Sequence, residues 1–94
     1  MAHLRDSTRK NAAMDSSILV AIARFPDRGH AIEELARSDE EFRSLCADLA
    51  DAEAAAIRWE RSSLPVSAAR SAEYRDLARD LATELAATLD RHAR

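Results

Sequence analysis

The stretch Ser62-Ser63-Leu64-Pro65-Val66-Ser67 is the clearest break in the chain. Proline holds the residue before it in an extended conformation, so a helix that approaches this stretch has to end here. Ser67 offers an N-cap side chain for a new helix on the far side. Connections of this length commonly join packed antiparallel helices. The stretch therefore predicts the turn of a helical hairpin.

Apolar residues recur at helical spacing on both sides of this break. They follow steps of three and four from Phe42 to Trp59, and again from Tyr74 to Leu89. The first pattern predicts a helix over about 39–62 and the second a helix over about 68–91. Each is roughly 36 Å long at 1.5 Å per residue. Equal lengths and a short turn predict that the two helices pack along their whole extent.

The segment before the hairpin predicts two short helices, which we expect to fold over the open end of the hairpin. Asp15, Ser16 and Ser17 offer N-cap side chains for a helix over 18–24, which has to end before Pro26. Asp27 is positioned to cap a second helix over about 28–37. Phe25 is expected to anchor the turn between them.

Two features set the boundaries of the domain. Ser38 and Glu41 form a capping-box pattern, which predicts that the long helix begins near Asp39. Residues 1–13 show no apolar period and predict a flexible N-terminal arm. The expected organisation is this arm followed by a single helical domain over 14–94.

Composition supports an all-α fold and limits the partners. The 94 residues include one Gly and two Pro, and alanine and arginine dominate. A net charge of −3 gives no electrostatic footprint for nucleic acid, and no segment approaches the roughly 18 apolar residues that a membrane span needs. A single cysteine excludes an intramolecular disulfide and predicts a cytoplasmic protein.

A hairpin of two helices cannot cover both sides of its own apolar stripes, which predicts self-association. Phe42, Leu49 and Leu81 are expected to stay partly exposed in a monomer. Pairing of two hairpins into a four-helix bundle, as a dimer or a tetramer, would bury them. The predicted oligomer interface consists of Phe42, Leu45, Leu49, Trp59, Tyr74, Leu77, Leu81 and Leu85.

Few residues have the chemistry that a catalytic or metal site requires. His30 precedes Glu33 and Glu34 on one helix, but the paired Glu-x-x-His pattern of bundle metal sites is missing, so an exposed histidine is the favoured interpretation. Cys46 lies beside the apolar stripe, where a free cysteine usually acts as a small apolar residue. The sequence predicts a protein without a catalytic residue, a metal site or a cofactor.

Arginines gather on both sides of the predicted turn, near Trp59 and Tyr74. Two interpretations are open: a surface for single-stranded nucleic acid or an acidic protein segment, or a tip held by ion pairs with the interleaved Glu60 and Glu73. The second is favoured. The candidate tip residues are Arg58, Arg61, Arg70 and Arg75.

Residues 25–60 resemble the YdcH-like family of small bacterial proteins of unknown function. The resemblance rests on spacing, and the positions that carry it are Phe25-Pro26, Ile32, Leu35, Ser38-Asp39, Phe42, Leu45 and Arg58-Trp59-Glu60. It weakens at Leu49, where the family commonly has an aromatic residue, and in the last helix. The resemblance implies a helical hairpin in the bacterial cytoplasm and brings no enzymatic activity, cofactor or catalytic residue.

Together these patterns predict a non-enzymatic helical protein that self-associates and acts through protein–protein interaction, with another protein as a possible partner. The alternative is a small regulator that binds nucleic acid weakly through the arginine tip.

Overall fold

The computed structural model describes residues 15–93, and this part of the chain is helical without strands. The all-α prediction is confirmed, whereas the predicted arm over 1–13 lies outside the described residues. The elements in chain order are α1 (Ser16–Arg24), a short 3-10 helix (Pro26–Arg28), α2 (Gly29–Ser38), α3 (Glu40–Glu60) and α4 (Ser67–Arg91).

Helices α3 and α4 form the long hairpin, with residues 61–66 as its turn. Small residues line their contact near the turn, where Ser71 Oγ donates a hydrogen bond to the Ala56 carbonyl oxygen over 3.3 Å. Farther from the turn, Leu85 and Leu89 are buried. The hairpin is as predicted, and its two helices contact each other more extensively than any other pair of elements.

Toward the turn, the inner face of α4 differs from the predicted stripe by one position, whereas Leu85 and Leu89 are buried as the stripe predicts. Ala78 and Ala82 are buried against the core, whereas Leu77 is 45% exposed and Leu81 is half-buried. The physical reason is helix separation, because alanine at the contact lets two helices approach more closely than leucine does. The leucines therefore lie along the flank of the contact.

Helices α1 and α2 pack on α3 and complete the core of the single chain. Ile18 and Ile32 join the same apolar cluster as Phe42, Leu49 and Leu85. The prediction that Phe42 and Leu49 stay partly exposed in a monomer is wrong, since they are 2% and 0% exposed. The short helices supply the cover that had been expected from a second hairpin.

A side-chain cap lies within the predicted capping segment at α1, whereas the cap at α3 differs from the predicted one. Asp15 Oδ1 accepts a hydrogen bond from the Ser17 amide over 3.1 Å, so the cap of α1 comes from the predicted segment 15–17, although the helix begins at Ser16 and not at Ile18. At α3 the cap is Asp39, which accepts from the Phe42 amide over 3.0 Å. Ser38 cannot take this role because it is the last residue of α2.

Two further predicted caps are wrong. Asp27 lies within the 3-10 helix, and α2 begins after Arg28 without a side-chain cap. Ser67 is already the first residue of α4, which follows Val66 and likewise lacks a side-chain cap. Both helices start one residue away from the expected position, and local sequence preference fixes such boundaries poorly.

Polar contacts tie the N-terminal segment to both helices of the hairpin. Arg24 pairs with Glu53 of α3 at 2.7 Å, and Arg28 pairs with Asp90 of α4 at 2.9 Å. These exposed pairs are each worth at most about 1 kcal/mol. Within residues 15–93, no helix is both long enough and apolar enough to span a membrane.

Candidate interaction surface

Among the described residues, other helices pack against one side of the α3–α4 hairpin, and the other side is open. Helices α1 and α2 pack on one side of α3, while a groove of about 510 Å³ runs between α3 and α4 along a part that neither short helix lines. We call this feature the open groove. Its lining residues are Asp48, Asp51, Ala52, Ala54, Ala55, Arg58, Tyr74, Leu77 and Leu81.

The α4 wall of the open groove is apolar. Tyr74, Leu77 and Leu81 recur at steps of three and four, which places them on one face of the helix. Leu77 is 45% exposed, and the other two are half-buried. On α3 the floor is formed by alanines, whose short side chains leave the groove open. Contiguous apolar surface of this kind marks interaction sites in soluble domains.

The α3 wall carries charges at its two ends. Asp48 and Asp51 lie on the side far from the turn, and Arg58 lies on the side near it. None of these three residues forms an ion pair with another residue of the 15–93 segment. Elsewhere on the hairpin, arginines are paired with carboxylates: Arg70 with Glu73 and Arg79 with Asp76 within α4, and Arg75 of α4 with Glu60 of α3.

The structure divides the predicted oligomer interface into three groups. Tyr74, Leu77 and Leu81 line the open groove. Leu45 and Trp59 are half-buried outside it. The remaining members are packed inside the single chain, where α1 and α2 cover the core, and they offer no surface to another copy in this conformation: Phe42, Leu49 and Leu85.

Sequence reasoning missed the charged wall of the groove. Asp48, Asp51, Ala55 and Arg58 follow one another at steps of three, four and three, so they occupy one stripe of α3. Such a stripe was visible in the sequence as a second heptad-like pattern. The sequence favours a solvated polar face for Asp48 and Asp51, because polar residues on a helix usually mark such a face.

The arginine tip is not one surface. Arg58 lines the open groove, whereas Arg75 lines a separate groove of about 590 Å³ at the turn, together with Trp59. Arg70 is bound by Glu73 at 3.0 Å, and Arg75 is paired with Glu60. The four candidate arginines are therefore dispersed, and two of them are already neutralised by carboxylates.

His30 and Cys46 occupy unrelated environments. The His30 side chain is 86% exposed, and its Nε2 atom lies 3.9 Å from a Glu34 carboxylate oxygen. Cys46 is fully buried, and burial together with the nearby Asp15 carboxylate raises the pKa of its thiol to about 11. Between residues 15 and 93, no three histidine, cysteine, aspartate or glutamate side chains gather where they could hold a metal ion.

Comparison with known proteins returns no relative. The chain matches no family model, no curated protein and no solved structure. The resemblance of residues 25–60 to the YdcH-like family stays a prediction.

Proposed function

We propose that this protein is a small helical interaction protein that acts by self-association, with the open groove as its binding surface. The observation that carries the proposal is the uncovered apolar wall of α4. Leu77 is 45% exposed within this wall, whereas Leu49, Leu85 and Leu89 are buried in the core of the same chain. Covering apolar surface is favourable by about 25 cal/mol per Å².

The composition of the groove supports binding through a protein–protein contact. Its centre is apolar, from Tyr74, Leu77 and the alanines of α3, and its charged residues lie toward the two ends. Protein interfaces commonly combine an apolar centre with a polar rim and are enriched in tyrosine and arginine. We therefore propose a binding role for this surface and no catalytic one.

The cellular setting belongs to the same proposal. Cys46 is a buried free thiol and the only cysteine of the chain, which is consistent with a reducing compartment such as the bacterial cytoplasm. The YdcH-like spacing of residues 25–60 supports the same setting.

Sedimentation equilibrium and light scattering at tens of micromolar test the proposal. We expect the unaltered chain to be a dimer or larger, and Leu77→Asp to be a monomer, because a buried unpaired carboxylate opposes association. Leu19→Asp is the matched control, since Leu19 is 54% exposed on α1, away from the groove. A monomeric unaltered chain, or a Leu77→Asp variant that associates as well as Leu19→Asp, would contradict the proposal.

A further inference from the structure

The charges along the open groove are arranged so that two antiparallel copies of the groove can pair with each other. On α3 the acidic Asp48 and Asp51 precede the alanines of the groove floor, and the basic Arg58 follows them. Asp51 and Arg58 are two turns apart, about 10.5 Å along the helix axis. Their midpoint falls between Ala54 and Ala55. A helix with opposite charges at equal distances from a centre of small residues matches an antiparallel copy of itself.

We infer that the open groove is filled by a second copy of this chain, placed antiparallel about a two-fold axis that crosses α3 between Ala54 and Ala55. Arg58 of each copy then lies opposite Asp51 of the other, and symmetry forms this pair twice. The alanines at the axis permit close approach of the two α3 helices. This inference rests on the proposed function, because it specifies the partner and the register at the same surface.

The positions of the α4 residues along the hairpin axis agree with this register. The hydrogen bond from Ser71 to the Ala56 carbonyl shows that these residues lie at one level of the hairpin. An axis at the centre of the groove floor therefore passes α4 within two residues of Tyr74. The same register brings Leu81 of one copy about level with Leu64 of the other, and Leu64 is 57% exposed in the single chain. Apolar residues thus meet at matching levels.

The opposite two-fold arrangement, with both turns at one end, fits the charges poorly. It keeps every residue level with itself, so Arg58 of one copy lies at the level of Arg58 of the other, and Asp51 lies at the level of Asp51. Like charges brought together at an interface oppose association. The antiparallel arrangement replaces this repulsion with attraction between Arg58 and Asp51.

Charge reversal distinguishes the two arrangements. We expect Arg58→Glu and Asp51→Arg each to raise the dimer dissociation constant about tenfold, since two exposed ion pairs become two repulsive contacts. The double variant D51R/R58E restores opposite charges across the axis and is expected to return to within about threefold of the unaltered protein. Arg79→Glu is the control, because Arg79 carries the same charge but does not line the groove.

Crosslinking gives a second measurement that does not depend on charge. Ala54 lies beside the proposed axis, so Ala54→Cys is expected to form a disulfide with its own copy under mild oxidation, while the buried Cys46 does not. Single reversals without effect, a double variant that stays weak, or failure of this crosslink in a dimeric protein would overturn the antiparallel register and leave the proposed function standing. An unaltered chain that is monomeric overturns both.

Discussion

In the part of the hairpin that α1 and α2 cover, large apolar side chains fill the interior, whereas near the turn the buried positions are alanine and serine. We define the covered half as residues 15–53 and 78–91, and the turn half as residues 54–77. Phe42, Leu49 and Leu85 are almost fully buried in the first, while the second exposes Leu64 and Leu77. Burial of large side chains dominates folding stability. The contrast therefore assigns stability to the covered half and most of the proposed binding surface to the turn half.

The division also explains why so small a chain needs two short helices before its hairpin. A hairpin alone would leave one side of α3 uncovered, and a small domain has little apolar area to spare. Ile18 and Ile32 bring apolar surface to this side, so that Cys46 and Leu49 become 0% exposed. The open groove is the side for which the described chain supplies no such cover.

The largest expected effect is a truncation in the covered half. Leu49→Ala removes a fully buried side chain and is expected to lower the free energy of unfolding by about 2–5 kcal/mol, since it loses burial and leaves a cavity. Leu77→Ala in the turn half is the matched change and is expected to cost below about 1 kcal/mol in the monomer. Urea unfolding followed by circular dichroism at low protein concentration measures both. Equal losses would abolish the distinction between the halves.

An intermediate effect is expected from the one buried cysteine of the covered half. Burial and Asp15 raise the pKa of Cys46 from 9.0 to about 11, so the folded chain holds the thiol proton more tightly than the unfolded chain. The contribution of this thiol to the free energy of unfolding is fully present below pH 9 and is lost as the pH rises toward 11. The loss amounts to about 2 kcal/mol. Urea unfolding between neutral pH and pH 11 should show this loss in the unaltered protein.

Cys46→Ala separates the thiol from the other groups that titrate at alkaline pH. This variant starts from a lower stability because it removes buried volume, but its free energy of unfolding should fall less steeply above pH 9. Identical slopes for the two proteins would show that Cys46 does not cause the alkaline loss.

Much of the fold was predictable because local signals determined it. Pro65 and the apolar periods on either side specify two helices and the turn between them, and Pro26 specifies the end of α1. The side of α4 that faces α3 was not predictable in the same way. Leu77 and Ala78 both belong to the broad apolar stripe, and the choice between them depends on how closely two distant segments pack.

The candidate site was predictable in part for the same reason. Tyr74, Leu77 and Leu81 were identified from periodicity as interface residues, and they line the open groove. Phe42 and Leu49 were assigned to the interface as well, because periodicity reports an apolar face and not the element that covers it. The short helices were expected to fold over the open end of the hairpin, but which residues of α3 they cover depends on contacts between residues far apart in the sequence, and no local pattern encodes it.

The smallest expected effects come from two serines in the turn half, where the same substitution should act in opposite directions. Ser71 Oγ is buried and donates to the Ala56 carbonyl, so Ser71→Ala is expected to cost about 1 kcal/mol and leave that carbonyl without this partner.

Ser67 Oγ is also buried, but it has no hydrogen-bond partner among the described residues. Ser67→Ala is expected to leave stability unchanged or raise it by up to about 1 kcal/mol, because it removes a desolvated hydroxyl and adds a better helix former. Urea unfolding of the two variants side by side measures the difference. Equal destabilisation by Ser67→Ala and Ser71→Ala would mean that the Ser67 hydroxyl forms a hydrogen bond in solution. Both serine hydroxyls near the turn would then be hydrogen-bonded. The opposite signs that we expect would instead mean that one serine joins α3 to α4 while its neighbour one helical turn away weakens the same contact.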